Sequence, residues 1–508
     1  MLAKINSMAV VGLDSYPVEV EIDISKGLPA LNIVGLPDKA VEESKERVRA
    51  AIKNSHGIFP ASRITVNLAP ADLKKEGPAY DLPIALGILV ADGQLEQNMV
   101  EPTDLFVGEL SLDGNLRHVN GILPTTLGAK EKKFKRIFIP EINSLESSLV
   151  EDIEIIPIKN LSDLILHLKG EKIIAPYVRN YSFEDEIKNY EYDFSHVKGQ
   201  EQAKRALEIA ASGGHNILMS GTPGSGKTLL AKAFISIMPK MIREDILDVT
   251  KIYSIAGILP NDTPLIYWPP FRSPHHTVSH IAMVGGGAWP RPGEISLAHR
   301  GVLFLDEFPE FPRSVLESLR QPLEDGVITI SRAQGSLTFP ASFILIAAQN
   351  PCPCGWLNHP KKQCICSPTQ IIRYQKRVSG PLLDRIDLHL EVPPVEEEKL
   401  MGDTVAESSE LVRKRVEKAR DIQLKRFTGL KKKNNAEMGP QTIKKFCALN
   451  EEGKNLLKLA IRQLCLSARA YTRILKLSRT IADLAGEENI LPSHVAEALQ
   501  YRPKETRY

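Results

Sequence analysis

The chain has little cysteine and few tryptophans. Of its six cysteines, four are crowded into "NPCPCGWLNHPKKQCICSP", residues 350–368, while Cys447 and Cys465 stand alone. Such spacing is no disulfide framework, and the scarcity suits a reducing, cytoplasmic setting. No stretch stays apolar long enough to span a bilayer, so no membrane partner is expected. The N-terminal "MLAKINSMAVVGLDSYPVEVEIDIS" lacks the continuous apolar core and small-residue cleavage site of a signal peptide; it reads as strands. Neither sign of charge dominates: 64 Lys+Arg face 62 Asp+Glu, for a net charge of +2. No global field announces a nucleic acid, although a local basic stripe would suffice to bind one.

What is present is an ordinary globular composition, 43% hydrophobic and 25% charged, in a chain of 508 residues. That length exceeds one core and predicts roughly two to four domains. Residues 1–168 alternate strands such as "VEVEIDIS" and "RITVNLAP" with helices such as "DKAVEESKERVRAAIKNS", which opens on an Asp cap and places Ala40, Val41, Val48 and Ile52 on one face. Residues 171–192 are polar and aperiodic and read as a linker. A second α/β block spans 193–395, a charged helical connector 396–440, and an all-helical tail 441–508.

The most specific signal is "NILMSGTPGSGKTLLAKAFI". Gly221, Thr222, Pro223, Gly224, Ser225, Gly226, Lys227 and Thr228 fit G-x-x-x-x-G-K-[ST] between an apolar strand and an amphipathic helix. Glycines let backbone N–H groups turn onto phosphate at the positive end of a helix. Lys227 is placed for the β- and γ-phosphates of ATP and Thr228 for Mg²⁺. In "GVLFLDEFPEF" a buried strand ends at Asp306, a second Mg²⁺ ligand, and at Glu307, placed to polarise water. A third strand, "SFILIAAQNP", ends in Asn350, which alone would also suit a plain Asn-Pro turn.

With "SPHHTVSHIAMVGGGAWPRPGEISLAHRGVLFLDE", "LRQPLEDGVITISRAQGSLTFPASFILIAAQNPCPCG", "SGPLLDRIDLHLEVP" and "LSARAYTRILKLSRTIADL" in that order, the whole chain resembles the YifB/ComM family of magnesium-chelatase-like AAA+ ATPases. The resemblance implies a hexameric ring of copies with ATP sites between subunits. It implies a DNA translocase that drives branch migration as imported single-stranded DNA recombines in natural transformation, beside recombination proteins. Asn350 then takes the place of sensor 1. Arg385 looks like the arginine finger, a fixed charged fork suited to developing phosphoryl charge; the plainer reading is a salt bridge with Asp384 or Asp387. Arg473 is taken as sensor 2, with Arg469 and Arg479 as alternatives. The family also carries a helix-2 insert, here "RSPHHTVSHIAMVGGGAWPRPGEI", and a presensor-1 hairpin, here "VITISRAQGSLTFPAS", both expected to face the pore. Arg332, at the hairpin tip, is then a DNA phosphate contact. His275, His276 and His280 suggest a metal site or, with no regular spacing, packing and hydrogen bonds.

Residues 1–168 resemble the Lon-type protease domain of ribosomal S5 domain 2-like fold, but without its dyad. Ala79 stands where that family has its serine, and the lysine's place falls near Leu123 or Pro124. A Ser–Lys pair needs a hydroxyl and an amine in contact, so no protease activity is expected. Lys74, Lys75, Arg117 and the Lys130–Lys133 stretch read either as phosphate contacts or as a solvated charged face.

Cys352, Cys354, Cys364 and Cys366 directly follow Asn350 in a C-x-C-x₉-C-x-C pattern. Four thiolates can close a tetrahedral Zn²⁺ shell around a loop with little core, with His359 as a substitute ligand. No metal, or an iron–sulfur cluster, are the alternatives. The expected activity is an Mg²⁺-dependent ATPase moving branched or single-stranded DNA. The rival is a chelatase-like motor that remodels a protein partner. The missing integrin-like domain and the Lon-like domain, which is not a chelatase feature, favour DNA.

Overall fold

A computed structural model describes residues 2–178, 190–260, 265–287, 291–332, 335–357, 359–395, 406–430, 432–464 and 466–503. Half of the expected linker, the start of the charged connector, the last five residues and Cys465 lie outside them. The chain forms two compact units: Met1–Asp185 with Ile246–Ile266, and Glu186–Asp245 with Tyr267–Tyr508.

In the first unit, β1 (Leu2–Val11) and β2 (Asp14–Ser25) pair antiparallel with Ile5 opposite Val20. β4 (Arg63–Ala69) lies antiparallel to β2 and parallel to β3 (Ala30–Val34), giving the order β1-β2-β4-β3. Alternation places Ile5, Val20, Ile22, Val66 and Leu68 in the core, as period-two patterning requires. Every residue of α1 (Asp81–Ala91) is buried. Its one charge, Asp81, is held by Arg47 Nε at 2.7 Å and Nη2 at 3.1 Å, which is how a buried carboxylate stays ionic at tolerable cost. A second sheet, all parallel, joins β5 (Asp104–Phe106), β6 (Arg136–Pro140) and β7 (Glu154–Ile158).

Residues 246–266 were read from sequence as part of the ATPase block, yet they are built into this first unit. Ser254 explains the attachment: its hydroxyl donates to buried Glu146 Oε1 at 2.5 Å and accepts from the Gly121 amide at 3.0 Å. Burial holds the Glu146 carboxyl above its ordinary range, although Ser254, the Leu123 amide and Asn143 hydrogen-bond to it.

The second unit is wound around a five-stranded parallel sheet. β8 (Ile217–Gly221) sits between β13 (Ile344–Gln349) and β14 (Leu388–Val392), and beyond β13 lie β10 (Val302–Leu305) and β9 (Phe271–Arg272). All four residues of β10 are buried, the near-continuous apolar run expected of a strand covered on both faces. Between β10 and β13, β11 (Val327–Arg332) and β12 (Gly335–Pro340) form the antiparallel hairpin that the alternation predicts. The helices α2 (Glu201–Gly213), α3 (Lys227–Phe234), α4 (Ser409–Arg426) and α5 (Ala468–Ala485) pack with the sheet into one cluster.

The helix α4 is therefore more than a charged connector. Val412 and Val416 enter the same core as Ile217 and Phe304, and buried Ser409 Oγ accepts from the Phe194 amide at 2.7 Å. The tail likewise shares this core through Leu457, Ile474 and Val495. Each such fully buried aliphatic side chain contributes about 1.5–3 kcal/mol.

Candidate functional site

β8, β10 and β13 are parallel neighbours, so their carboxyl ends open on one crevice, the place where sheets of this kind take ligands. β8 hands over to the Thr222–Gly226 loop, β10 to Asp306 and β13 to Asn350. Gly224 and Gly226 have φ of +78° and +89°, and a Cβ on either would meet nothing within 4 Å. Conformation, not crowding, demands glycine there. Gly226 caps α3 without a side chain, so the first-turn amides remain available to an anion.

The Lys227 ammonium donates to the carbonyls of Gly221 (2.7 Å) and Thr222 (2.9 Å) and to Asn350 Oδ1 (3.3 Å). Burial pulls its pKa below the usual lysine value, with Asp306 opposing. Thr228 Oγ1 donates to Asp306 Oδ2 at 2.8 Å. Buried Thr222 Oγ1 has no hydrogen-bond partner among the described residues. Ser225 is buried in the same loop. These groups fit ATP with Mg²⁺: an ammonium and free amides for phosphate, a hydroxyl and a carboxylate for a hard cation.

Glu307 follows with a left-handed backbone, φ +52°. Its Oε2 lies 3.1 Å from His276 Nδ1. Of the two readings of the histidines, packing and hydrogen bonding is the one the contacts show. His275 hydrogen-bonds Thr277 Oγ1 at 2.9 Å and packs on the His276 ring, 4.1 Å between centroids. Among the described residues, His275, His276 and His280 form no metal-holding group. His276 is thereby placed beside Glu307 at the crevice, a position that its irregular spacing concealed.

Arg385 pairs with Glu324 and donates to the Pro381 carbonyl at 2.6 Å. The salt bridge read from sequence with Asp384 or Asp387 is not the one formed. Asp387 instead faces His215, whose Nδ1 lies 3.2 Å from Oδ2. Burial alone would raise the Asp387 pKa, but His215, Lys476 and Arg473 hold it below the ordinary range. Asn216, just before β8, ties this segment to the sheet: its Nδ2 donates to the Arg385 carbonyl (3.2 Å) and its Oδ1 accepts from the Leu345 amide (2.8 Å).

Of the three arginines weighed as sensor 2, Arg473 is buried and donates to the Ile386 carbonyl at 2.5 Å, one residue from Arg385. Arg479 is buried and spends its guanidinium on Asp483 and the carbonyls of Glu487 and Glu488, which close the C-terminus of α5. Arg469 is exposed. Arg332 ends β11 opposite Gly335; its side chain and the turn residues 333–334 lie outside the described residues. So do residues 288–290 of the helix-2 insert.

In the first unit Ala79 sits in a short helical turn, Pro78–Tyr80, while Leu123 and Pro124 are buried in the helix Ile122–Glu131. Neither position offers a hydroxyl or an amine. The phosphate reading of Lys75 is wrong: the side chain is fully buried and its ammonium donates to the Pro70 carbonyl. Lys74 pairs with Glu76 at 2.8 Å and Lys130 with Asp152 at 2.9 Å, and Arg117 stays largely exposed.

The four sulfurs of Cys352, Cys354, Cys364 and Cys366 all lie within 4.8 Å of one another, a group that can hold a metal ion. His359 is not among them. Its Nδ1 accepts from the amides of Lys361 (3.0 Å) and Lys362 (2.9 Å).

Three family profiles match the chain: "Magnesium chelatase, subunit ChlI" over residues 193–400, "Subunit ChlI of Mg-chelatase" over 20–143, and "Magnesium chelatase, subunit ChlI C-terminal" over 406–502. The chain is 45% identical to Competence protein ComM of Haemophilus influenzae, covering 99% of this chain and 97% of that protein. It is 43% identical to the uncharacterized protein YifB of Escherichia coli, with the same coverage. Magnesium-chelatase subunit ChlI of Euglena gracilis is 24% identical over 32% of this chain and 53% of that protein. The match at 20–143 overturns one sequence argument: the N-terminal block is itself akin to a chelatase profile and does not discriminate against a chelatase-like motor.

Proposed function

Because the chain belongs to the magnesium-chelatase-like ComM/YifB family, we propose that it is a Mg²⁺-dependent AAA+ ATPase that works as a ring on DNA, driving branch migration when imported DNA recombines. The observation that carries the ATPase reading is the pair of contacts across the crevice, Thr228 to Asp306 and Lys227 to Asn350. Likeness to a competence protein over nearly the full length carries the DNA reading.

In this mechanism Lys227 and the first-turn amides of α3 bind the triphosphate. Thr228 and Asp306 would hold Mg²⁺, which when bound neutralises charge on the phosphates. Glu307 takes up the proton of the attacking water and Asn350 orients it. Glu307 must first leave His276, so base and substrate are brought together only when that contact opens. Arg385 serves the site of a neighbouring copy, which requires it to leave Glu324. Arg473 holds the Ile386 backbone and so reports lid position to the Arg385 segment. The hairpin β11–β12 contacts DNA phosphate through Arg332, and the first unit, of S5 domain 2-like fold without a protease dyad, serves as scaffold or guide.

The chelatase-like descriptions of all three matching profiles favour a second reading, the same ATPase remodelling a protein partner. ATP-dependent migration of a labelled synthetic four-way DNA junction decides between them, with Glu307→Gln as control. The motor reading expects movement by the native chain and none by the variant. ATP hydrolysis with no DNA stimulation and no junction movement would move the assignment to a protein client.

A further inference from the structure

The four-cysteine loop and the phosphate-binding loop touch. β13 delivers Asn350 to Lys227 and passes within two residues to Cys352, which is fully buried. Gly355, one residue past Cys354, has φ +82°, and a Cβ placed on it would lie 2.6 Å from Cγ and Cδ of Pro223. No larger residue fits that approach without displacing the loop that faces phosphate.

The sulfurs are arranged for a metal. Cys352 to Cys354 is 3.4 Å, Cys352 to Cys364 3.7 Å and Cys354 to Cys364 3.6 Å, and all four thiols are free of disulfides. A tetrahedral Zn²⁺ with four thiolates at about 2.3 Å sets its sulfurs about 3.8 Å apart. The loop has a thin core: Ile365, between two of the cysteines, is 85% exposed, and Trp356 lies under the Lys362 ammonium, 3.9 Å from its ring centre. Four soft donors with no hard oxygen among them select zinc over magnesium or calcium.

We propose that Cys352, Cys354, Cys364 and Cys366 bind one Zn²⁺ and that this metal knuckle braces the nucleotide-binding loop through the Gly355–Pro223 contact. The four thiols give up their protons as the Zn–S bonds form. Loss of the ion frees the loop, and with it the support behind Pro223 and the strand exit that positions Asn350. Linkage makes the effect mutual: nucleotide should tighten zinc by the factor by which zinc tightens nucleotide. The brace rests on the nucleotide reading of Gly221–Thr228; the metal site does not.

The test uses the full-length chain. Zinc content is measured by elemental analysis, and binding of a fluorescent ADP is titrated before and after zinc is stripped with a thiol reagent and chelator. The same titration is run on Cys364→Ser and on Gly355→Ala, which keeps all four thiols should the cysteine variant fail to fold. The expected result is one zinc per chain, nucleotide affinity weakened roughly fivefold or more on stripping, and weakened nucleotide binding with full zinc in Gly355→Ala. A chain without stoichiometric zinc overturns the metal assignment. Full zinc with affinities unchanged in both the stripped chain and Gly355→Ala overturns the brace. A native chain that holds zinc but binds no nucleotide overturns the nucleotide reading, and the brace with it, while leaving the metal site standing.

Discussion

Glu324→Gln should increase ATP hydrolysis. Arg385 is only 13% exposed and pairs with Glu324, which is 56% exposed. An arginine that acts on a neighbour's phosphates must first give up this partner. Half of the pair is in solvent, so its strength belongs near the upper end for exposed pairs, about 1 kcal/mol, rather than with desolvated ones. Removing the carboxylate charge therefore lowers the cost of releasing Arg385 by about that much, equivalent to a rate gain of about fivefold. The bond from Arg385 to the Pro381 carbonyl at 2.6 Å remains in the variant and keeps the side chain oriented. Steady-state hydrolysis at saturating ATP, over a range of chain concentrations, is the assay, with Arg385→Ala as the control expected to abolish the gain. The gain should also shrink as salt rises, because screening weakens the native pair first. A Glu324→Gln variant as slow as Arg385→Ala would refute the reasoning, since Glu324 would then position the arginine for catalysis instead of restraining it.

Thr228→Ala deletes the hydroxyl that donates to Asp306. A hydrogen bond to a charged group contributes about 1.5–3 kcal/mol, so the Mg²⁺ needed for half-maximal hydrolysis should rise about tenfold or more; unchanged Mg²⁺ dependence speaks against both residues as ligands. Asp483→Ala should destabilise the second unit by about 3–5 kcal/mol in chemical denaturation, because Asp483 is fully buried between Arg426, Arg479 and Asn435 and its loss strands two guanidiniums; a loss under 1 kcal/mol would contradict that network. His299 and His389 are pushed down, by burial first and by neighbouring cations second, to about 3 and about 4. Each takes up a proton in the unfolded chain before the folded one, so stability falls as pH drops from about 6.5 toward those values, by up to about 1.4 kcal/mol per pH unit for each histidine. His299→Asn, which keeps an acceptor for the Ser342 amide that Nδ1 now binds at 3.1 Å, should flatten that acid limb; an unaltered limb would assign it to other groups.

What could be read in the sequence divides from what could not along a physical line. The Gly221–Thr228 loop, Asp306 and Asn350 were legible because each is a local pattern: a glycine spacing, or a polar residue ending a run of buried β-branched and aliphatic side chains. The four cysteines were legible because two tight pairs in one loop need little help from the fold to meet. Interactions set by distant packing left no such signature. Glu324 meets Arg385 across 61 positions, and Pro223 meets Gly355 where two neighbouring strands end. Lys75 looked like a surface cation because nothing in "DLKKEGP" reveals that the Pro70 carbonyl waits for its ammonium inside the fold. The helix Arg243–Ala256 shows the same limit at larger scale: Ile246, Val249, Ile252 and Tyr253 announce a buried face, but periodicity states only that a face is buried, not which core buries it. Ser254, meeting Glu146 and Gly121, and Lys251, pairing with Asp14, tie the helix from Ile246 onward to the first unit. His276 sits between these cases, since its histidine chemistry was visible while its partner was not. The residues proposed to bind nucleotide are thus local to the chain, whereas those that would time its use, His276 on Glu307 and Glu324 on Arg385, are supplied by the fold. Substitutions at the first group should weaken binding of nucleotide or Mg²⁺, and substitutions at the second should change the rate of hydrolysis and its dependence on neighbouring copies.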